Sequence, residues 1–290
     1  MTIVGEGISM SDIITQIAEF FSYSYAIRAV LVGGAVSLCA ALLGVSLVLK
    51  KYSMIGDGLS HVGFAILAVS GALGQMDTSL TIAIPVVVLC AIILLRITES
   101  SPIGGDAAIA VLSTLSLAVG YIVMYKAGTN VDVSSYMFGN MLTIKTSEMY
   151  FSLAVSAVVS ILFLLFYHKI FAITFDEGFA DAVGVPAGLY NMIIASLTAV
   201  TIVLGMRMMG TLLISALIIF PALTSMRVFK SFRAVIISSA TVSLLCFFVG
   251  VVAGHILTIP AGSAVVAANG VCFAVFSVVG FVKERTFGKH

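Results

Sequence analysis

Apolar runs decide what this chain can fold into. Segments at about 26–49, 57–74, 79–96, 105–125, 150–170, 189–206, 208–226, 234–255 and 262–282 are long enough to cross a ~30 Å hydrocarbon core as helices. The fold class that follows is an all-α polytopic membrane protein with about nine transmembrane helices. The second run is short, and Arg207 alone separates the sixth from the seventh. If either site is one broken element, the count drops to eight. Composition agrees: 61% of residues are hydrophobic and 9% charged, whereas soluble domains carry about 25% charged residues. A net charge of +1, with no basic patch or aromatic signature, argues against nucleic acid as a partner.

Basic residues orient the chain. With the end of the first span placed inside, inner loops hold Lys50, Lys51, Arg96, Lys169, Arg227, Lys230, Arg233, Lys283, Arg285 and Lys289. Outer loops hold only Lys126, Lys145 and Arg207. By the positive-inside rule the N-terminus is outside and the C-terminus inside, and Arg28 snorkels near the outer end of the first span. Residues 1–24 carry no Lys or Arg, unlike the charged start of a cleavable signal. Ser11–Phe21 repeats apolar residues at helical spacing and reads as an amphipathic helix on the outer membrane surface, or as a loop leading into the first span. Residues 1–290 otherwise form a single transmembrane domain. Cys39, Cys90, Cys246 and Cys272 sit inside apolar runs without a Cys-x-x-Cys pair and read as buried small hydrophobes.

Against this background one stretch stands out, Gly56-Asp57-Gly58-Leu59-Ser60-His61. On a helix, Asp57 and His61 stack on one face. Ionisable groups at membrane depth are costly and usually line a pathway or meet a partner. Imidazole with carboxylate suits Zn²⁺, Mn²⁺ or Fe²⁺, so the pair is read as ligands for a divalent metal in transit. Two ligands are too few for a closed site, and a transit site must also release. Two copies could contribute the pair twice near a two-fold axis, or each copy could bind alone with water. The competing reading is an Asp57–His61 contact that only fixes packing. A helix beginning near Asp57 puts the pair low in the membrane; one beginning near Ser53 moves it toward the middle.

Two loops are long. The outer one, 127–148, turns amphipathic after Ser134 and suits a short helix across the outer mouth. The inner one, 168–188, carries a helix of about two turns ended by Gly184 and Pro186. Its acids Asp176, Glu177 and Asp181 run against the positive-inside trend. Phe175, Phe179 and Ala180 would give an apolar contact for a cytoplasmic ATPase, with the acids as its rim. A plain solvated connection is the alternative.

Three segments carry a family likeness. Lys50 to His61 resembles the second-helix signature of membrane subunits of ABC importers for manganese, zinc or iron, the ABC-3 family. Phe175 to Pro186 is similar to the coupling-helix segment of that family, with Phe175, Asp176, Glu177, Phe179, Ala180 and Gly184 as the ATPase-coupling residues. Met209 to Thr224 is similar to its Gly-x-Leu-Leu…Pro-Ala helix, departing at Leu223, where many relatives carry a second Ala. The likeness runs from about Val30 to Val282. It implies the type II importer fold, as in the cobalamin permease, which has four spans after its coupling helix, as here, and six before, against five here. It also implies a second copy of the chain, two ATPase subunits, an extracellular solute-binding protein and a transported metal ion, with no permanent cofactor. No Gly-x-x-x-x-Gly-Lys-Ser/Thr motif is present, so ATP hydrolysis is expected in a partner and not in this chain. The alternative is a gradient-driven secondary metal transporter, a class with more intramembrane acids and broken helices in paired halves. An intramembrane metalloenzyme would need a motif such as His-Glu-x-x-His, which is missing. Weaker candidates are His255 as a second metal contact or an interfacial residue, Asp106 as an N-cap, and Met206, Met208 and Met209 as a thioether cluster or packing.

Overall fold

The computed structural model of the chain describes residues 10–74, 79–100, 105–128, 139 and 144–287. Within them the helices are α1 (Met10–Ser22), α2 (Ser24–Leu49), α3 (Ile55–Ala72), α4 (Ser79–Ser100), α5 (Gly105–Lys126), α6 (Thr146–Leu165), α7 (Tyr167–Phe175), α8 (Glu177–Ala182), α9 (Ala187–Met209), α10 (Thr211–Val228), α11 (Phe232–Ile256) and α12 (Ala261–Phe287). Nine of these, α2 to α6 and α9 to α12, are long and apolar enough to cross a membrane. The eight-span alternative does not arise among the described residues. Gly210, at φ +89°, breaks α9 from α10 in a conformation that side chains other than glycine rarely adopt. α3 is short but separate: Lys51 turns at φ +62°, and the Tyr52 amide reaches back 2.8 Å to the Leu47 carbonyl.

Two boundaries move. The fifth span stops at Leu165, and the residues after it form α7, a separate short helix. The short helix expected across the outer mouth falls on residues outside those described. Asp106, expected as an N-cap, lies inside the first turn of α5, where a carboxylate meets the positive end of the helix dipole.

The bundle is organised on α2, which packs against α6, α9, α10 and α11. α3 lies on the other side of α9 and α10 and is also covered by α4 and α5. Water cannot drive helices together inside a bilayer, so close approach and interhelical polar contacts must. A Cβ on Gly44 of α2 would stand 2.1 Å from the Ile218 carbonyl oxygen of α10, so only glycine lets these backbones touch. Ser37 of α2 and Ser243 of α11 share a buried hydroxyl contact of 2.8 Å. At the far end of α2, Arg28 donates to Thr146 of α6 at 3.2 Å, and Arg207 of α9 pairs with Glu148 of α6 at 2.5 Å.

Candidate functional site

The Gly-Asp-Gly sequence places the acid by what it does not put beside it. A Cβ on Gly56 would lie 3.0 Å from Ile218 Cδ1, and one on Gly58 2.7 Å from Ile109 Cγ2. Two glycines thus let α3 nest between α10 and α5, which leaves Asp57 on a third face. One turn on, His61 shares it. His61 Nε2 stands 3.6 Å from Asp57 Oδ2. The Ser215 hydroxyl of α10 has two acceptors for its one proton, the Thr211 carbonyl of its own helix at 3.1 Å and, more distant, Asp57 Oδ1 at 3.4 Å. The side chains remain partly open, 37% for Asp57 and 20% for His61. Ser215 also lines a cavity of ≈ 360 Å³ between α10 and α12, with Phe220 and Ser263.

The level of the pair follows from its neighbours. Ile218, which faces Gly56, also touches Gly44, six residues before Lys50. At 1.5 Å per residue this is about 9 Å along α2 from its Lys50 end. α3 begins at Ile55, after the 50–54 turn. The pair therefore sits inside the bundle, between the two levels that the sequence left open.

The geometry suits one ion. Two ligands at about 2.1 Å from a tetrahedral metal are about 3.4 Å apart, close to the observed separation. His61 Nδ1 is buried and has no hydrogen-bond partner among the described residues. Firmly held metals usually have the second ring nitrogen of each His tied down, and losing that tie costs about 10- to 100-fold in affinity. Among the described residues no group of three or more His, Cys, Asp or Glu gathers to hold a metal, so a single chain offers an incomplete ligand set. Ser215 was not singled out from sequence; an intramembrane serine looks like any other small packing residue.

The 168–188 loop is ordered. α8 is six residues long, close to the expected two turns at 3.6 residues per turn. Asp176 caps it, Oδ1 accepting from the Phe179 amide at 2.9 Å. Gly184, at φ +84°, ends it, its amide bonded to the Asp181 carbonyl at 3.0 Å. Phe175 and Phe179 are 60% and 63% exposed, and Val183 lies open beside them. Ala180 corrects the expectation: it is fully buried beneath α8 and offers nothing to a partner. The acids are also engaged within the chain. Asp181 Oδ1 accepts from the Ala187 amide at 2.7 Å, and Glu177 pairs with Lys50 at 2.7 Å. The outward face of this segment is therefore aromatic first and acidic second.

A family model described as the ABC 3 transport family matches residues 22–280. The chain belongs to the ABC 3 transport family. It is 28% identical over 240 residues to the "Manganese import system permease protein ScaB" of Streptococcus gordonii, covering 83% of this chain and 86% of that one. It is 29% identical over 263 residues to a protein of Haemophilus influenzae named "Probable iron transport system membrane protein", covering 89% and 90%. A solved chain in "PsaBC from Streptococcus pneumoniae in complex with Fab" superposes with a TM-score of 0.79 at 29% identity, over 90% of this chain and 95% of that one. This ABC 3 protein is a multi-pass permease of the bacterial cell membrane.

Other polar or sulfur-bearing residues of the ABC 3 chain pack. His255, in the last turn of α11, lies with its ring 4.8 Å from that of Phe20 in α1. Met206, Met208 and Met209 are all buried, and Met206 fills the space over Gly63. The four cysteines are free, Cys39 being buried near the Ser156 carbonyl and the Ser160 hydroxyl.

Proposed function

We propose that this chain is the transmembrane subunit of an ATP-driven importer for a divalent transition metal, manganese, zinc or iron, with Asp57 and His61 as its transit ligands. The observation that carries the reading is a carboxylate and an imidazole 3.6 Å apart on one open helix face inside an apolar bundle. In a lone chain that face would meet hydrocarbon, where exposed charge is costly. A second copy of the chain, apposed there, encloses it and adds the ligands one chain lacks. The names of the relatives, a manganese permease and an iron transport protein, support this class of cargo. Selection among the three metals lies with site geometry and the delivering protein.

In this reading residues 1–290 are one permease domain, with 1–24 at the outer face and the 168–188 loop in the cytoplasm. The excess of Lys and Arg at the Lys50 end of α2 supports that orientation. Two ATPase subunits dock on the loop, chiefly through Phe175 and Phe179, and an extracellular solute-binding protein delivers the ion. Membership of an ABC family leaves the gradient-driven alternative without support.

The test is uptake of Mn²⁺, Zn²⁺ and Fe²⁺ by the assembled complex in vesicles, for Asp57→Ala and His61→Ala separately. Each is expected to lower uptake by at least about tenfold, the loss of one good metal ligand or its support, with assembly unchanged. Parent rates in both would refute the assignment.

A further inference from the structure

Lys50 follows the last residue of α2, yet its side chain is only 7% exposed. Its ammonium lies 2.7 Å from Glu177 Oε1 and also donates to Asn191 Oδ1. Asn191 returns a bond to the same Glu177 oxygen at 3.2 Å. Three elements thus meet at one carboxylate: the end of α2, the first residue of α8 and the first turns of α9. Beyond Lys50 the chain runs through one tight turn directly into α3, where Asp57 is seven residues on.

An ammonium taken out of water is costly unless its partner comes with it. Glu177 is itself about half exposed, at 48%, so the cost of separation falls on Lys50, which would keep only the neutral Asn191 oxygen and lose its charged partner if α8 moved away. The adjacent Lys51 is exposed, and no such constraint acts on it. The Glu177 carboxyl reflects the bond: burial pushes its pKa up, but the bonds from Lys50 and Asn191 and the charge of Lys50 together hold it below the usual range.

We infer that Lys50 is a positioning residue that ties the ATPase-docking segment to the helix bearing Asp57 and His61, so that displacement of α8 reaches that pair through the ion pair of a buried Lys50 ammonium with a half-exposed Glu177. The inference rests on reading α8 as the ATPase contact. It differs from that reading in naming the path along which a movement travels, and in giving Lys50 a role without contact to either the metal or the ATPase.

The experiment compares Lys50→Met, Lys50→Arg, Asn191→Ala and the double variant Lys50→Met/Glu177→Gln in assembled complexes in vesicles. The quantity read is metal moved per ATP hydrolysed. Lys50→Met and the double variant are expected to lower this ratio roughly tenfold, the scale of an ordinary coupling free energy. Asn191→Ala is expected to lower it less, and Lys50→Arg to restore most of it. A role confined to stability would change yield and melting temperature but leave the ratio alone. The double variant strands no buried charge, so it keeps the test alive if Lys50→Met does not fold. A parent-like ratio in the double variant overturns the inference. Failure of the docking reading shows separately: Phe179→Ala would then bind the ATPase subunit as firmly as the parent chain.

Discussion

A carboxylate inside hydrocarbon needs company, and Asp57 has two kinds. His61 stands beside one of its oxygens, and Ser215 approaches the other from α10. In the proposed site the hydroxyl has a supporting part: when its proton turns from the Thr211 carbonyl to Asp57 it favours one orientation of the carboxylate. Ser215→Ala is expected to weaken metal affinity by at most about fivefold, the worth of a hydrogen bond of about 1 kcal/mol, while Asp57→Ala and His61→Ala weaken it by at least about tenfold. Metal titration of the purified complex checks the difference. Asp57 and His61 could be singled out as candidates in the sequence because ionisable groups are scarce there and these two stand at helical spacing, and the structure places them side by side. Ser215 was not, because Asp57 is 158 residues away and Ser215 also bonds to its own helix, at the Thr211 carbonyl, as an ordinary intrahelical serine does. Ala180 misled for a related reason: on so short a helix, apolar spacing does not say which face meets the bundle.

At the scale of elements, the spans were legible because a bilayer demands apolar runs of nearly fixed length. Gly210 and the Lys51 turn explain why neighbouring runs stay separate. Helix ends were less legible. The start of α7 depends on Phe166 leaving helical geometry (φ −91°, ψ 7°), with no proline or glycine to announce it. α8 carries a pH signature. The folded chain holds the Glu177 carboxyl below its ordinary value of 4.5, so the ion pair contributes fully above the unfolded value and is lost as pH falls through the depressed one. Thermal melting in detergent should show the parent losing more stability than Glu177→Gln between about pH 5 and about pH 3. Parallel curves would mean that the Lys50 contact adds no stability.

Across the whole molecule, the contacts that join helices differ in kind. Gly44 rests on backbone, the Ile218 carbonyl, whereas Gly63 of α3 rests on the end of the Met206 side chain of α9, 2.5 Å from where a Cβ would stand. Backbone cannot retreat, but a thioether can. Gly44→Ala is expected to cost about 3 kcal/mol, the upper range for overpacking, and Gly63→Ala less than about 1 kcal/mol, as read from melting in detergent. Gly250 of α11 resembles Gly44, its missing Cβ lying 2.4 Å from Val265 Cα of α12. The molecule is in this sense welded in one part and greased in another. α2 with α10, and α11 with α12, meet main chain to main chain. The glycines of the helix that bears Asp57 and His61 instead face side-chain atoms, Ile218 at Gly56, Ile109 at Gly58 and Met206 at Gly63. The seams with the most give therefore run beside Asp57 and His61, and the turn between that helix and α2 begins at the lysine that pairs with Glu177.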